Sequence, residues 1–221
     1  EMGRQQALLN YTHSLDYGKR YLDERGIHLS EVMVNMHDSR EITQHFEKQL
    51  NSNIRDSEVV LFTAQALGAL INLQKDNMKM ISLLPLVKGM FDWVCEKNPE
   101  INFGTCDIFY GAYEAGRPKM LGWNPEKGKE IFYRAIAKYP HNWLILVSFM
   151  QFYLIPQNDE DGFKEQMRAM ESMAINFNAV YVFDNQEEKN KDWMQEENLR
   201  FYQALALKRY ELMKRFKKQF F

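Results

Sequence analysis

Apolar residues recur along this chain at three- and four-residue steps, so almost every segment reads as helix. Leu8, Tyr11, Leu15, Gly18 and Leu22 fall on one face of a first helix that ends near Gly26. Ser30 is a good N-cap, and the pattern predicts a second helix from there to about Leu50. Asn51 to Ser57 is polar and turn-like. The next stretch, "EVVLFTAQALGALINL" from Glu58 to Leu73, is apolar on nearly every side. Its small residues Ala64, Ala66, Gly68 and Ala69 permit close backbone approach, which predicts a buried central helix. A fourth helix spans roughly Met78 to Lys97, and Pro85 predicts a kink or break near residue 84 because proline removes a helical hydrogen bond.

Further helices are predicted over residues 104–116, 125–138, 142–154 and 160–174, separated by turns at Pro118, Gly122, Pro140 and Pro156. Residues 176–193, "NFNAVYVFDNQEEKNKDW", read as an extended loop, with the β-branched "AVYV" as a short extended piece. A last helix over 192–218 carries Phe201, Leu205, Leu212 and Phe216 on one side and has an exposed basic end. The sum is about nine helices with short connections, a single all-α domain over residues 1–221 built as an array of antiparallel helical hairpins.

A repeat register sits inside that array. Counting back from Pro140, Ala135, Phe132 and Gly128 occupy the small, aromatic and small positions of the second helix of a tetratricopeptide repeat. A small residue lets the first helix of the unit approach, the aromatic fills the groove, and the proline ends the helix. Asn124 caps this helix and Pro125 occupies its first turn. Around Pro99 the same count gives Val94, Phe91 and Val87, where only the aromatic and the proline match. Gly116 takes the small position of the preceding helix, but "RPKMLGW" intrudes after it. The repeats are degenerate and carry an inserted loop.

Composition narrows the function. With 45% hydrophobic residues and a net charge of −2, the chain is globular, and its basic residues are dispersed except between Lys208 and Lys218. Nucleic acid is excluded as the main ligand, because phosphate binding needs a concentrated basic face. No run reaches the roughly 18 to 20 apolar residues of a membrane-spanning helix. Cys95 and Cys106 match no zinc spacing; they sit nearly symmetrically about the Asn98-Pro99-Glu100 turn, which leaves a disulfide open.

The stretch "LPLVKGMFDWVCEKNPEINFGTCDIFYGAYEAGRPKMLGWNPEKGKEIFYRAIAKYPHN", followed by "ENLRFYQALALKRYELM", resembles the TatT component family associated with TRAP transporters. The order and spacing of the Gly-Ala-Tyr helix, the Pro-x-x-Leu-Gly turn and the alanine-and-phenylalanine helix carry the similarity, which covers the chain from about residue 5. The family often has a second glycine where this chain has Trp123. The resemblance implies a tetratricopeptide-like, non-enzymatic periplasmic protein without cofactor, accompanying the transporter's substrate-binding subunit. It further implies a homotrimer with a hole through each protomer, a small apolar organic acid as ligand, and membrane attachment only through an N-terminal lipid anchor.

Phe109, Tyr110, Tyr113, Arg117 and Trp123 surround the inserted loop and are the candidate ligand or partner groove, with tyrosine hydroxyls and Arg117 fixing orientation. The commoner reading of the same residues is aromatic core with a solvated arginine. His37, Glu41 and His45 recur every four residues, a weak metal stripe whose polar neighbours favour a solvated face, so no metal is assigned. No nucleophile-histidine-acid set and no phosphate-binding glycine loop is present. "EEKNKDWMQEEN" reads as a solvated charge run, and the thirteen methionines, at helical spacing, as plain core or an adaptable groove. The alternatives are a generic repeat scaffold that clamps a peptide in its groove, and an enzyme built on His37, Glu41 and His45.

Overall fold

The computed structural model describes residues 2–181 and 197–221, which are helical throughout their regular parts, with no strand among them. They form two compact units, Glu1–Pro99 and Glu100–Phe221. In the first unit lie α1 (Met2–Asp23), α2 (Leu29–Asn35), α3 (Ser39–Gln49), α4 (Ile54–Leu73), the single turn α5 (Met78–Ile81) and α6 (Leu84–Lys97). The apolar α4 is central, as its composition requires: α1 and α6 both pack on it, and α3 packs on α6. Two contacts show that α1 runs antiparallel to α4, Tyr21 Oη donating to Asp56 Oδ1 at 2.6 Å and Arg4 Nη2 to the Leu73 carbonyl at 2.6 Å. A Cβ on Gly18 would fall 1.9 Å from Thr63 Oγ1, so only glycine permits this crossing.

Asp56 is 2% exposed and is the polar centre of the unit. Its carboxylate accepts hydrogen bonds from Tyr21 Oη, from Arg25 Nε at 3.0 Å, from Asn53 Nδ2 at 2.8 Å and from the Asn51 amide at 3.2 Å. Burial pushes its pKa up, but these donors outweigh it and hold the carboxyl below its ordinary range. Arg25 also lies flat on the Tyr21 ring, 3.4 Å from its centroid.

The second unit holds α7 (Thr105–Gly116), α8 (Pro125–Lys138), α9 (Leu144–Phe149), which continues as a π-helical turn over Met150–Leu154, then α10 (Glu160–Tyr181) and α11 (Glu197–Phe216). Phe132, Phe149, Met150, Phe163, Met170 and Tyr210 are among its core side chains. Here α7 and α8 form an antiparallel hairpin, and the register residues of α8 perform the packing expected of them. Phe132 and Ala135 are fully buried, and a Cβ on Gly128 would meet the Gly111 carbonyl at 2.8 Å. Gly128→Val should therefore push α8 off α7 and lower the stability of the unit by about 1–3 kcal/mol, measured as a fall in the urea midpoint at unchanged slope.

Several sequence-based expectations change. The helix expected from Ser30 to Leu50 is two helices, because Asp38 caps a new one by accepting from the Arg40 amide at 2.7 Å. The turn expected through Ser57 ends earlier, with Asn53 capping α4. Pro85 does break the fourth helix, standing in the first turn of α6 where no amide partner is lost. Residues 176–181, including "AVY", continue α10 instead of forming an extended piece. The rest of that loop, most of the "EEKNKDWMQEEN" run and the start of the last helix at Asp192 lie outside the described residues.

Candidate functional site

The inserted loop begins where α7 ends. Arg117 leaves the helix in extended conformation, Pro118 leads into a 3-10 turn over Lys119–Leu121, and Gly122 reverses the chain at φ 83°, a value that glycine adopts without strain. Asn124 then caps α8, its side chain accepting from the Lys127 amide at 3.1 Å.

One buried carboxylate holds this loop in place. Glu114, 6% exposed, accepts from Arg117 Nη2 at 2.5 Å and from Lys127 Nζ at 2.8 Å, while its backbone carbonyl accepts from the Asn124 amide at 2.9 Å. Arg117 spends a second donor, Nε, on the Gly122 carbonyl at 2.8 Å. Its guanidinium also covers the Tyr113 ring, 4.9 Å from the centroid. The end of α7, the loop and the start of α8 are thus one cross-linked piece. Arg117 is not the solvated arginine of the alternative reading: its side chain is 16% exposed and its charge is matched by Glu114.

The aromatic residues divide into two groups. Phe109, Tyr110 and Tyr113 are half-buried and in mutual contact, Phe109 meeting Tyr113 at 5.6 Å between centroids and Tyr110 edge-on at 5.3 Å. Trp123 belongs to the loop instead, its indole N–H donating to the Ala115 carbonyl at 2.8 Å, with Lys119 Nζ 5.5 Å from the ring centroid. That single hydrogen bond anchors the polar edge and leaves the ring 38% exposed. Beside it Met120 is 78% exposed and Leu121 40%. The loop therefore presents a three-residue apolar tip on a braced base.

Glu114, Lys127, Met120 and Leu121 were missed by the sequence reading. The Glu114 to Arg117 spacing of three was legible as a helical ion pair, but Lys127 reaches Glu114 only because α8 folds back on α7. A second cluster was also missed. Tyr153, 4% exposed, stacks on Phe149 at 5.3 Å, and Lys129 Nζ approaches the rings of Tyr153 and Tyr133 to 5.8 and 6.0 Å. Burial, then the charges of Glu126 and Asp159, push the Tyr153 hydroxyl above its ordinary pKa.

The histidine stripe does not assemble. His37 precedes the Asp38 cap and lies outside α3, so it does not share a helical face with Glu41 and His45. Among the described residues no group of three His, Cys, Asp or Glu is placed to hold a metal ion. His45 instead lines a cavity of about 100 Å³ with Gly26, His28, Glu31, Val32, Asn35 and Met36. That is below the roughly 300 Å³ at which small-molecule sites begin. His28 Nδ1–H donates to Asp23 Oδ1 across 2.9 Å, and this hydrogen bond raises its pKa.

A family model described as the TRAP transporter T-component matches residues 1–211 of this chain. The chain belongs to that family. No curated protein matches it. As a T-component it is an accessory part of a TRAP transport system. No helix of the described residues in this T-component is long and apolar enough to cross a membrane. Cys95 and Cys106 are both disulfide-bonded.

Proposed function

We propose that this T-component is a non-enzymatic periplasmic protein that docks the substrate-binding subunit of its TRAP system through the loop at 117–124. The observation that carries the reading is the exposed apolar tip of Met120, Leu121 and Trp123 on a base braced by Glu114, Arg117 and Lys127. A tip held before contact loses little conformational freedom on docking, and aromatic and methionine side chains are enriched among interface anchors. The half-buried Phe109, Tyr110 and Tyr113 form a ring cluster on α7 whose faces suit an apolar organic acid. The disulfide-bonded cysteines support an oxidising compartment. The packed Gly128, Phe132 and Ala135 support a tetratricopeptide-like unit, and the homotrimer and N-terminal lipid anchor complete the reading.

Native mass spectrometry of the protein, alone and with the substrate-binding subunit encoded beside it, tests this. The expected result is a trimer that captures the subunit, with capture more than tenfold weaker in Met120→Ser/Trp123→Ala at an unchanged helical spectrum. A loss of tenfold corresponds to about 1.4 kcal/mol. A wild-type chain that ignores the subunit overturns the docking reading, and a variant that captures it normally moves the site away from the loop. Adding short apolar carboxylic acids to the same samples reports a bound ligand as an added mass.

A further inference from the structure

The side of α11 turned away from its unit carries chemistry that docking through the loop does not use. Gln203, Ala206, Tyr210 and Met213 are buried, and the helix packs on α9 and α10. At about 100° per residue, Phe201, Leu205, Leu212 and Phe216 fall within a sector of about 60° on the opposite side. Phe201, Leu212 and Phe216 form an outward ridge about 22 Å long, 63%, 45% and 40% exposed, with Leu205 half-buried between them. The helix has a second apolar stripe that its own core does not cover.

Cations border that stripe. Lys208 and Arg215 lie on the helix within about 60° of Leu212, and Lys218 follows in the terminal 3-10 turn; all three are exposed. Among the described residues, none of these three pairs with a carboxylate, whereas Lys214, on another face, pairs with Glu171 at 3.6 Å. Glu211 stands about 100° from Leu212 and one helical turn from both Lys208 and Arg215, so it offsets part of their charge. A chain of net charge −2 places three cations, Lys208, Arg215 and Lys218, and one carboxylate, Glu211, beside this exposed apolar line, a net positive border.

The complement to such a line is anionic at its rim and apolar beneath. Because the ridge is convex and spans several helical turns, it fits a broad deformable surface better than a pocket. Phenyl and leucyl side chains sink between headgroups while lysine and arginine stay at the phosphates. We infer that the outward face of α11 is a membrane-surface contact that lies in the plane of an anionic phospholipid layer. Attraction falls off within a Debye length, so the contact is salt-sensitive.

The test is flotation of the full chain with vesicles of phosphatidylcholine, and with vesicles that also contain phosphatidylglycerol, at about 0.15 M salt. The protein should float with the anionic vesicles and at least tenfold less with the neutral ones or in high salt. Lys208→Glu/Arg215→Glu and Phe201→Ser/Leu212→Ser should each lose that binding by about tenfold while melting at the wild-type temperature. Equal partition into both vesicles, no partition, or full binding by the charge-reversed variant overturns the inference. A variant that keeps vesicle binding but changes the oligomer mass shows instead that the stripe joins two copies. Loss of subunit capture with vesicle binding intact assigns it to an acidic protein partner.

Discussion

Asp56→Ala is expected to cost the first unit about 3–5 kcal/mol, the range for removing one partner from a buried charged network. The carboxylate gathers donors from Tyr21 of α1, from Arg25 in the turn after it, and from the Asn51 amide and Asn53 just before α4. Alanine leaves all of them without an acceptor and leaves the Arg25 guanidinium beside an empty site. Tyr21→Phe removes one donor and keeps the charge pair, so its loss should be near 1 kcal/mol. Urea titrations followed by circular dichroism separate the two variants, and equal losses would show that the charge is not what holds α1 on α4. A pH dependence follows from the lowered pKa of Asp56. Its stabilisation is fully present above the ordinary aspartate value of about 3.9 and is lost as pH falls through the depressed folded value. The wild-type midpoint should drop over that acidic window, and Asp56→Asn should flatten the drop.

Glu114→Ala should be the most disruptive change at the loop over 117–124. It strands Arg117 and Lys127 together, but Lys127 is 55% exposed on its side chain and recovers water, so the expected cost is nearer 2–3 kcal/mol than the full buried-pair value. The functional loss should be larger than the loss of stability. Freed from Glu114, the loop samples many conformations, and the apolar tip must be ordered again on docking. Capture of the substrate-binding subunit should weaken more than tenfold, while Glu114→Gln, which keeps one acceptor oxygen, should recover part of it. Titration calorimetry beside a thermal melt reads both effects. If Glu114→Ala melts early yet binds as tightly as wild type, the bracing matters to the fold and not to the partner.

Much of the helical layout was legible because it depends on residues within a turn or two of one another. Pro125 and Asn124 begin α8, and Lys138 ends it, where the local signals put them. Pro85 starts α6 by the same logic. The break at Asp38 was also written locally, in an Asp-Ser-Arg cap, but the helical spacing of Val32, Met36, Ile42 and Phe46 across it hid it. The continuation of α10 through Tyr181 was not local at all. The β-branched and aromatic residues there favour extended chain on intrinsic grounds, yet the helix continues, and within it Phe177 packs edge-on against the buried Trp143 at 5.9 Å between centroids.

The five candidate residues were close in sequence, and the structure divides them between the loop and a contact group on α7. Arg117 braces, Trp123 is exposed, and Phe109, Tyr110 and Tyr113 share one half-buried contact group. What the sequence by itself determined was the helical class, most helix limits, the inserted loop and the α7–α8 hairpin register, all products of spacing, caps and small-residue positions. The tertiary structure alone decided that α1 pairs with α4 rather than with its chain neighbour, that Lys127 completes the cage of Glu114, and which stripe of α11 stays outside. Those outcomes depend on which surfaces meet across many residues, and a hydrophobic period states only that a face will be buried, not what will cover it.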